Sequence, residues 1–512
     1  MAEQSRTQKS IRNARVALFF SVLTFALGFF SRKILLDALG ADILGLYTTA
    51  NNLCGFLNLA EMGITSAVAF SLYKPIFDND RQAITEIVSI QGWLFRYVGI
   101  AMTVGAVILM SLFPVFFNEE KTNLPLWYSF ATFGVIFLSQ VLGYFFCYQQ
   151  TLLSADQQEY KITYCFQGGR VLKLALQIVG IGFCGLGYKF WLAAELACGL
   201  LTIIGIWWAI REQYPWLKTD ISQGGNLRSH HPEILAKVKQ MMVHKVCFSV
   251  IDRATPVIVY GLISLSMVAV YGNYMMIVTN IGIFIRACFN SMNASLGNIV
   301  AEGDNPKAER YYKETTILRY WIVSIFCYCL YHLATPFMIL WMGKEYTFDN
   351  LTLTCLVIYT FIELTCNTDP FINAYGLFQD VWASITKVIL NIGLSILLGI
   401  YYGIPGILLG VTISLILIFH IWKPYFLYRY GFGVEASKYI RGIIMSIMLI
   451  IIAWLCCDLL NYEPDTLNAL SFIYMATITL VKYTLASGIL FLTISKEARN
   501  SLAALTSTYL KR

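Results

Sequence analysis

Apolar stretches of about 20 residues recur from one end of this 512-residue chain to the other, and they decide most of what it can become. A helix rising about 1.5 Å per residue needs roughly that length to cross the hydrocarbon core of a bilayer. The composition agrees. Hydrophobic residues make up 57% of the chain and charged residues only 13%, about half the charge of an ordinary soluble protein. Barrel strands would give alternating segments of roughly ten residues, and none occur. The expectation is an all-α, polytopic membrane protein.

The expected spans are 14–36, 43–72, 91–117, 126–153, 160–183, 189–210, 241–263, 267–300, 317–342, 351–376, 381–402, 405–427, 438–459 and 468–494, about fourteen helices. Tight turns are expected near Gly187 and Gly403. Val16 to Phe30 could mimic a signal peptide, but Arg32 and Lys33 follow it and no small-residue cleavage site does, so it reads as the first span. The net charge of +7 matters through its placement and gives no reason to expect nucleic acid as a partner. Segments assigned outside hold only Arg32, Lys33, Lys121, Lys189 and Lys344, and the larger share of the 37 basic residues falls in segments assigned inside. That asymmetry predicts both termini in the cytoplasm. The thirteen cysteines are scattered, mostly through apolar spans, without metal-ligand spacing, and read as packing residues.

An internal repeat divides the chain. Tyr47 recurs as Tyr271 and Asp80 as Asp304, both 224 positions later; Arg96-Tyr97 recurs as Arg319-Tyr320, Pro114 as Pro336 and Gln157 as Gln379 at nearly the same offset. A repeat of six spans is parallel, related by an axis along the membrane normal. The expected divisions are an N-lobe over 1–210, a cytoplasmic linker over 211–240, a C-lobe over 241–428, and two further spans with a tail over 429–512. Two such bundles suit alternating access to a substrate held near the midplane. Asp80 and Asn305-Pro306 look like starts of short cytoplasmic amphipathic helices.

Polar residues inside the spans are the candidates for function, because ionisable groups at membrane depth are expensive. Asn51, Asn58, Glu61 and Thr65 fall on one face of the second span if it is one helix. Span 7 clusters Ser249, Asp252, Arg253 and Pro256. Span 8 carries Arg286, Asn290 and Asn293, and span 10 carries Glu363, Asn367, Asp369 and Pro370. Arg170, Lys173, Lys387 and Lys482 are further basic residues within spans. Arginine offers a permanent planar cation that matches phosphate, so this set predicts an anionic cargo with many hydroxyls, such as a lipid-linked sugar diphosphate. Glu61, Asp252, Glu363 and Asp369 could couple transport to a cation or pair with the arginines, and spacing alone leaves both open. Gly406 and Gly410 have helix-packing spacing.

Arg32-x-x-Leu35, Leu39-Gly40-Ala41, Leu44-Gly45-Leu46, Leu59-Ala60-Glu61-Met62-Gly63-Ile64, Ala67 and Leu72-Tyr73-Lys74-Pro75 together resemble the N-terminal signature of bacterial polysaccharide transporters. These are the O-antigen and capsule repeat-unit flippases of the multidrug/oligosaccharidyl-lipid/polysaccharide (MOP) exporter superfamily. The likeness is specific over about residues 12–100; beyond that it rests on span number, repeat and loop pattern. It implies a MATE-like fold of fourteen helices, two six-helix lobes facing each other plus two C-terminal helices. It further implies flipping of undecaprenyl-diphosphate oligosaccharides across the bacterial inner membrane, for lipopolysaccharide or capsule, beside a polymerase and other assembly proteins. Arg32 and Glu61 lie in the motif itself. The implied substrate-binding set is Arg32 and Asn58 with Arg253, Arg286 and Asn290 from the argument above. Coupling to a proton or sodium gradient is implied by the superfamily, and no other cofactor is expected.

Rival readings keep the fold and change the cargo, to a drug or cation or to the peptidoglycan precursor; mid-depth arginines oppose the first and the opening motif the second. A membrane polymerase or glycosyltransferase would need catalytic residues in a sizeable external loop, and the expected external loops are short. The chain is therefore read as a transporter and not an enzyme. A scaffold would have no use for arginines at mid-depth.

Overall fold

The computed structural model describes residues 6–58, 64–117, 124–156, 158–228, 238, 250, 253–301, 303–375, 377, 381–459 and 467–500. All regular secondary structure among them is helical. In chain order the main helices are α1 (Arg6–Leu39), α2 (Ala41–Leu57), α3 (Ile64–Asp78), α4 (Arg81–Ser111), α5 (Leu126–Phe146), α6 (Gln150–Ala155), α7 (Glu159–Gln177), α8 (Tyr188–Gln213) and α9 (253–262). They continue with α10 (Leu265–Ala301), α11 (Asn305–Trp341), α12 (Asn350–Leu364), α13 (Asp369–Ala374), α14 (Val381–Leu415, with its helical continuation to Phe432), α15 (Ser437–Asp458) and α16 (Ala469–Ile494).

Among the described residues 10 helical stretches are long and apolar enough to cross a membrane. One of them, Trp382–Phe432, runs for 51 residues and is broken by Gly403 at φ 62°, so it supplies the two spans expected on either side of that glycine. The packing is that of a lipid-embedded chain. α16 buries Thr479, Tyr483 and Ser487 while exposing Leu480, Val481, Leu485 and Ile489, the reverse of a water-facing helix. The chain is a multi-pass membrane protein.

Contacts divide it into two compact units, Met1–Ala269 and Val270–Arg512, meeting inside α10. Within the first unit α9 and the first turn of α10 pack on α2. Ser266 Oγ donates to Asp42 Oδ1 at 2.5 Å, and a Cβ on Gly45 would strike the Leu265 carbonyl. In the first unit α1 lies along α7, α7 along α8, and α5 touches α2, α4 and α8. In the second, α11 packs against α12, α15 and α16, and α12 against α14. Gly406 and Gly410 have no Cβ, which lets the two halves of the α14 hairpin touch backbone to backbone at Leu398 and Ser395.

The repeat is visible in the helix starts. α2, α4 and α5 begin at Ala41, Arg81 and Leu126; α10, α11 and α12 begin at Leu265, Asn305 and Asn350, each 224 positions on. Asp80 caps α4 by accepting from the Gln82 and Ala83 amides, and Asp304 caps α11 by accepting from the Lys307 amide. The starts are as expected, but the separate short amphipathic helices are not. Each continues unbroken into the following span, since nothing in 81–111 or 305–335 interrupts the backbone ladder. The second expected span also differs: α2 stops at Leu57 with Asn58 at its C-cap, and the next helix described, α3, covers Ile64–Asp78.

Candidate functional site

In the first unit the opening motif ties helices together. Arg32, two turns from the end of α1, donates from Nη2 to the Ala269 carbonyl at 3.3 Å. Arg253 at the start of α9 lays its guanidinium on Gly55 of α2, so close that a Cβ there would overlap it. Its Nε is buried and has no hydrogen-bond partner among the described residues. Asn58 accepts at Oδ1 from the Tyr144 hydroxyl at 2.8 Å.

Asn58 also lines a partly open cavity of about 390 Å³ among α2, α4, α5, α6, α7 and α8. Its charged wall is Lys173 on α7 and Glu195 on α8, with Nζ to Oε2 at 3.0 Å. Gln177 Nε2 adds a bond to Glu195 Oε1 at 3.2 Å, and Arg170 lines the cavity beside Lys173. Glu195 was not singled out from the sequence, although it is the lone carboxylate in the apolar run 190–210, a signal that could have found it.

In the second unit the polar residues gather where the tenth span breaks. α12 ends at Leu364 and α13 begins at Asp369, leaving the carbonyls of the last turn without helical partners. Arg319 of α11 fills that gap: Nε donates to the Leu364 carbonyl at 2.6 Å and Nη1 to Asn367 Oδ1 at 3.2 Å. His420 Nε2 lies 2.9 Å from the Ile362 carbonyl, and Asn367 Nδ2 donates to Thr315 Oγ1 at 3.1 Å. Glu363, on the last turn of α12, holds Arg286 Nη1 of α10 at 3.0 Å. Asp369 pairs with Lys423, and both Lys423 and Lys387 stand over the Phe419 ring, at 4.3 and 4.0 Å. Thus four cations (Arg286, Arg319, Lys387, Lys423) surround two carboxylates (Glu363, Asp369). The side chain of Arg286 remains 42% accessible.

The structure therefore engages Arg286 with Glu363 and Asp369 with Lys423, and adds Arg319, which the sequence reading placed only as a repeat match. Arg253 and Arg32 belong to the first unit. Glu61 and Asp252, with the side chains of Asn290 and Asn293, lie outside the described residues. No group of three or more potential metal ligands occurs among the described residues.

No protein-family model matches the chain, and no curated protein matches it in sequence. Solved structures do. The lipid II flippase MurJ, in an inward closed conformation, superposes with a TM-score of 0.64 at 12% identity, over 93% of this chain and 99% of that one. The fold is that of MurJ and the MATE transporters. A multidrug resistance MATE family transporter of the MOP superfamily matches in its inward-facing form with a TM-score of 0.58 at 14% identity, over 84% of this chain and 95% of that one. Its outward-facing form matches at 0.56 and 13%, over 88% and 97%. At such identities the likeness concerns architecture alone, and the chemistry has to come from this chain's own side chains.

Proposed function

We propose that the chain flips an undecaprenyl-diphosphate-linked oligosaccharide, an O-antigen, capsule or exopolysaccharide unit, across the bacterial inner membrane by alternating access, with both termini cytoplasmic. The observation that carries this reading is the surplus of four cations over two carboxylates around the break between α12 and α13. Burying uncompensated positive charge is costly unless an anion completes it. A diphosphate supplies that charge and accepts the two-pronged donation that arginine offers. Arg286 is the accessible member of that cluster, and Arg253, whose Nε is unused, is a candidate phosphate ligand of the first unit in its own right. Arg32 and Asn58 hold neighbouring helices and support the headgroup from there. Asn290, one turn beyond Arg286 in the sequence, adds a polar contact.

A phosphate arriving at Arg286 competes with Glu363, and the carboxylate so released can take a proton or a sodium ion. Asp369 stands in the same relation to Lys423. Glu61 and Asp252 complete the acidic set. Coupling of this kind gives the flipping cycle a direction without any enzymatic step.

The test is a flipping assay in proteoliposomes beside complementation of a strain lacking its surface-polysaccharide flippase. Arg286→Ala and Arg253→Ala are expected to abolish flipping while protein level is unchanged. Full activity in both variants would sink the anion reading. The likeness to MurJ favours a second cargo, the peptidoglycan precursor; rescue of a strain lacking lipid II flipping, without rescue of polysaccharide export, would select it.

A further inference from the structure

We infer that the cavity inside the first unit is a saccharide subsite, which takes a sugar ring of the cargo and sets which glycan is accepted; this rests on the flippase reading above. The cavity lies wholly among helices of the first unit. Its lining combines the amides and hydroxyl of Asn51, Ser139, Gln140 and Gln150 with the rings of Phe95 and Phe166.

Two of those amides carry the argument. Oε1 of Gln140 and Oε1 of Gln150 are both buried, and neither accepts a hydrogen bond from the described residues. A buried acceptor left unpaired costs about 1–3 kcal/mol, and because both glutamines line the cavity, turning either terminal amide over would bring its Oε1 to a donor held there. Phosphate oxygens at neutral pH are chiefly acceptors and cannot satisfy them. Sugar hydroxyls and acetamido N–H groups can. The Lys173–Glu195 pair in the same lining offers the complement: Lys173 spends one of its three donors on Glu195 and keeps others, and Glu195 has accepting capacity left. A ligand with donors and acceptors around one ring and an apolar ring face fits this lining; a lipid tail or an inorganic anion does not. A site built to hydrogen-bond hydroxyls also rejects analogues that lack them far more strongly than an apolar pocket would.

The experiment measures binding of two probes to the full chain in nanodiscs: undecaprenyl diphosphate, and the same lipid carrying one hexose or one N-acetylhexosamine. Wild type is expected to prefer at least one glycosylated lipid by about tenfold, the worth of one or two hydrogen bonds. Gln140→Leu combined with Gln150→Leu is expected to bring the two affinities to within about twofold while the bare lipid binds as before. The double variant should also melt no lower than wild type, because it removes unpaired buried acceptors, which separates lost recognition from lost folding. A variant that keeps the preference, or a wild type with none, overturns the subsite and leaves the flippase reading standing. Loss of bare-lipid affinity in the variant reassigns the cavity to the headgroup and also overturns it. If the bare lipid fails to bind wild type, the headgroup reading falls. The subsite is then judged by methyl glycosides of the same sugars, which must raise the melting temperature of wild type and not of the double variant.

Discussion

Gly55 and Arg253 illustrate how much of the chemistry hangs on single atoms. The guanidinium of Arg253 rests where a Cβ at position 55 would stand, so the absence of that carbon fixes where the cation lies. At Gly282 the fit to Arg286 is looser: a Cβ there would come to 3.0 Å from Nη2, which a small shift of that side chain relieves. Gly55→Ala is expected to displace Arg253 at a stability cost of about 1–3 kcal/mol, the usual range for overpacking. Flipping should fall nearly as far as in Arg253→Ala. The double variant should be no worse than either alone, because both remove the same positioned charge. Additive losses in a proteoliposome flipping series would show that Gly55 and Arg253 act separately. None of this was legible in the sequence. Arg253 was found there as a mid-span cation, but no spacing rule pairs it with a glycine some two hundred positions earlier. Arg319 escaped for a different reason. The span was expected to begin at 317, which put this arginine at a membrane boundary, whereas α11 begins at Asn305 and carries Arg319 well inside the helix.

Among the elements, the broken tenth span shows what a helix interruption at membrane depth requires. Lipid offers no partner for the carbonyls freed between Leu364 and Asp369, so the protein must satisfy them itself. Arg319, buried at 7% exposure, does this for the Leu364 carbonyl and also donates to the side-chain oxygen of Asn367. Arg319→Leu leaves a carbonyl and an amide oxygen unsatisfied beside the Arg286–Glu363 pair. The expected cost is about 1–3 kcal/mol for each acceptor left unpaired, read as a fall in the melting temperature of purified protein. Arg319→Lys should recover only part of it, since an ammonium cannot fork to two acceptors. A melting temperature equal to wild type in Arg319→Leu would mean that the break is satisfied otherwise. The sequence did signal the region, with Glu363, Asn367, Asp369 and Pro370 in one span. It could not signal the fork, which depends on α11 lying alongside. The opposite misreading came in the second span, where an assumed continuous helix put Asn51, Asn58, Glu61 and Thr65 on one face. The end of α2 at Leu57 removes the basis for that shared face.

Across the whole molecule, long apolar spans and the 224-position repeat were readable because both are periodic along the chain, and periodicity survives without knowledge of contacts. The boundary between compact units was not readable in this way. It depends on Gly45, Asp42 and Arg32 gripping the chain near Leu265, Ser266 and Ala269. Orientation in the bilayer rests on a different global property, the bias of Lys and Arg toward segments assigned inside. In a cysteine-free background, Glu120→Cys should react with an impermeant maleimide added to intact cells, and His231→Cys only after permeabilisation. Position 120 falls between two helices whose other ends lead into basic segments, whereas 231 lies in the stretch that carries Arg228, Lys237 and Lys239. Moving that cluster of charge across the membrane would oppose the potential at about 2.3 kcal/mol per charge per 100 mV, which makes the reverse orientation costly. Labelling of His231→Cys in intact cells, with protection of Glu120→Cys, would invert the topology. The direction of flipping proposed for the diphosphate cargo would then have to be reversed with it.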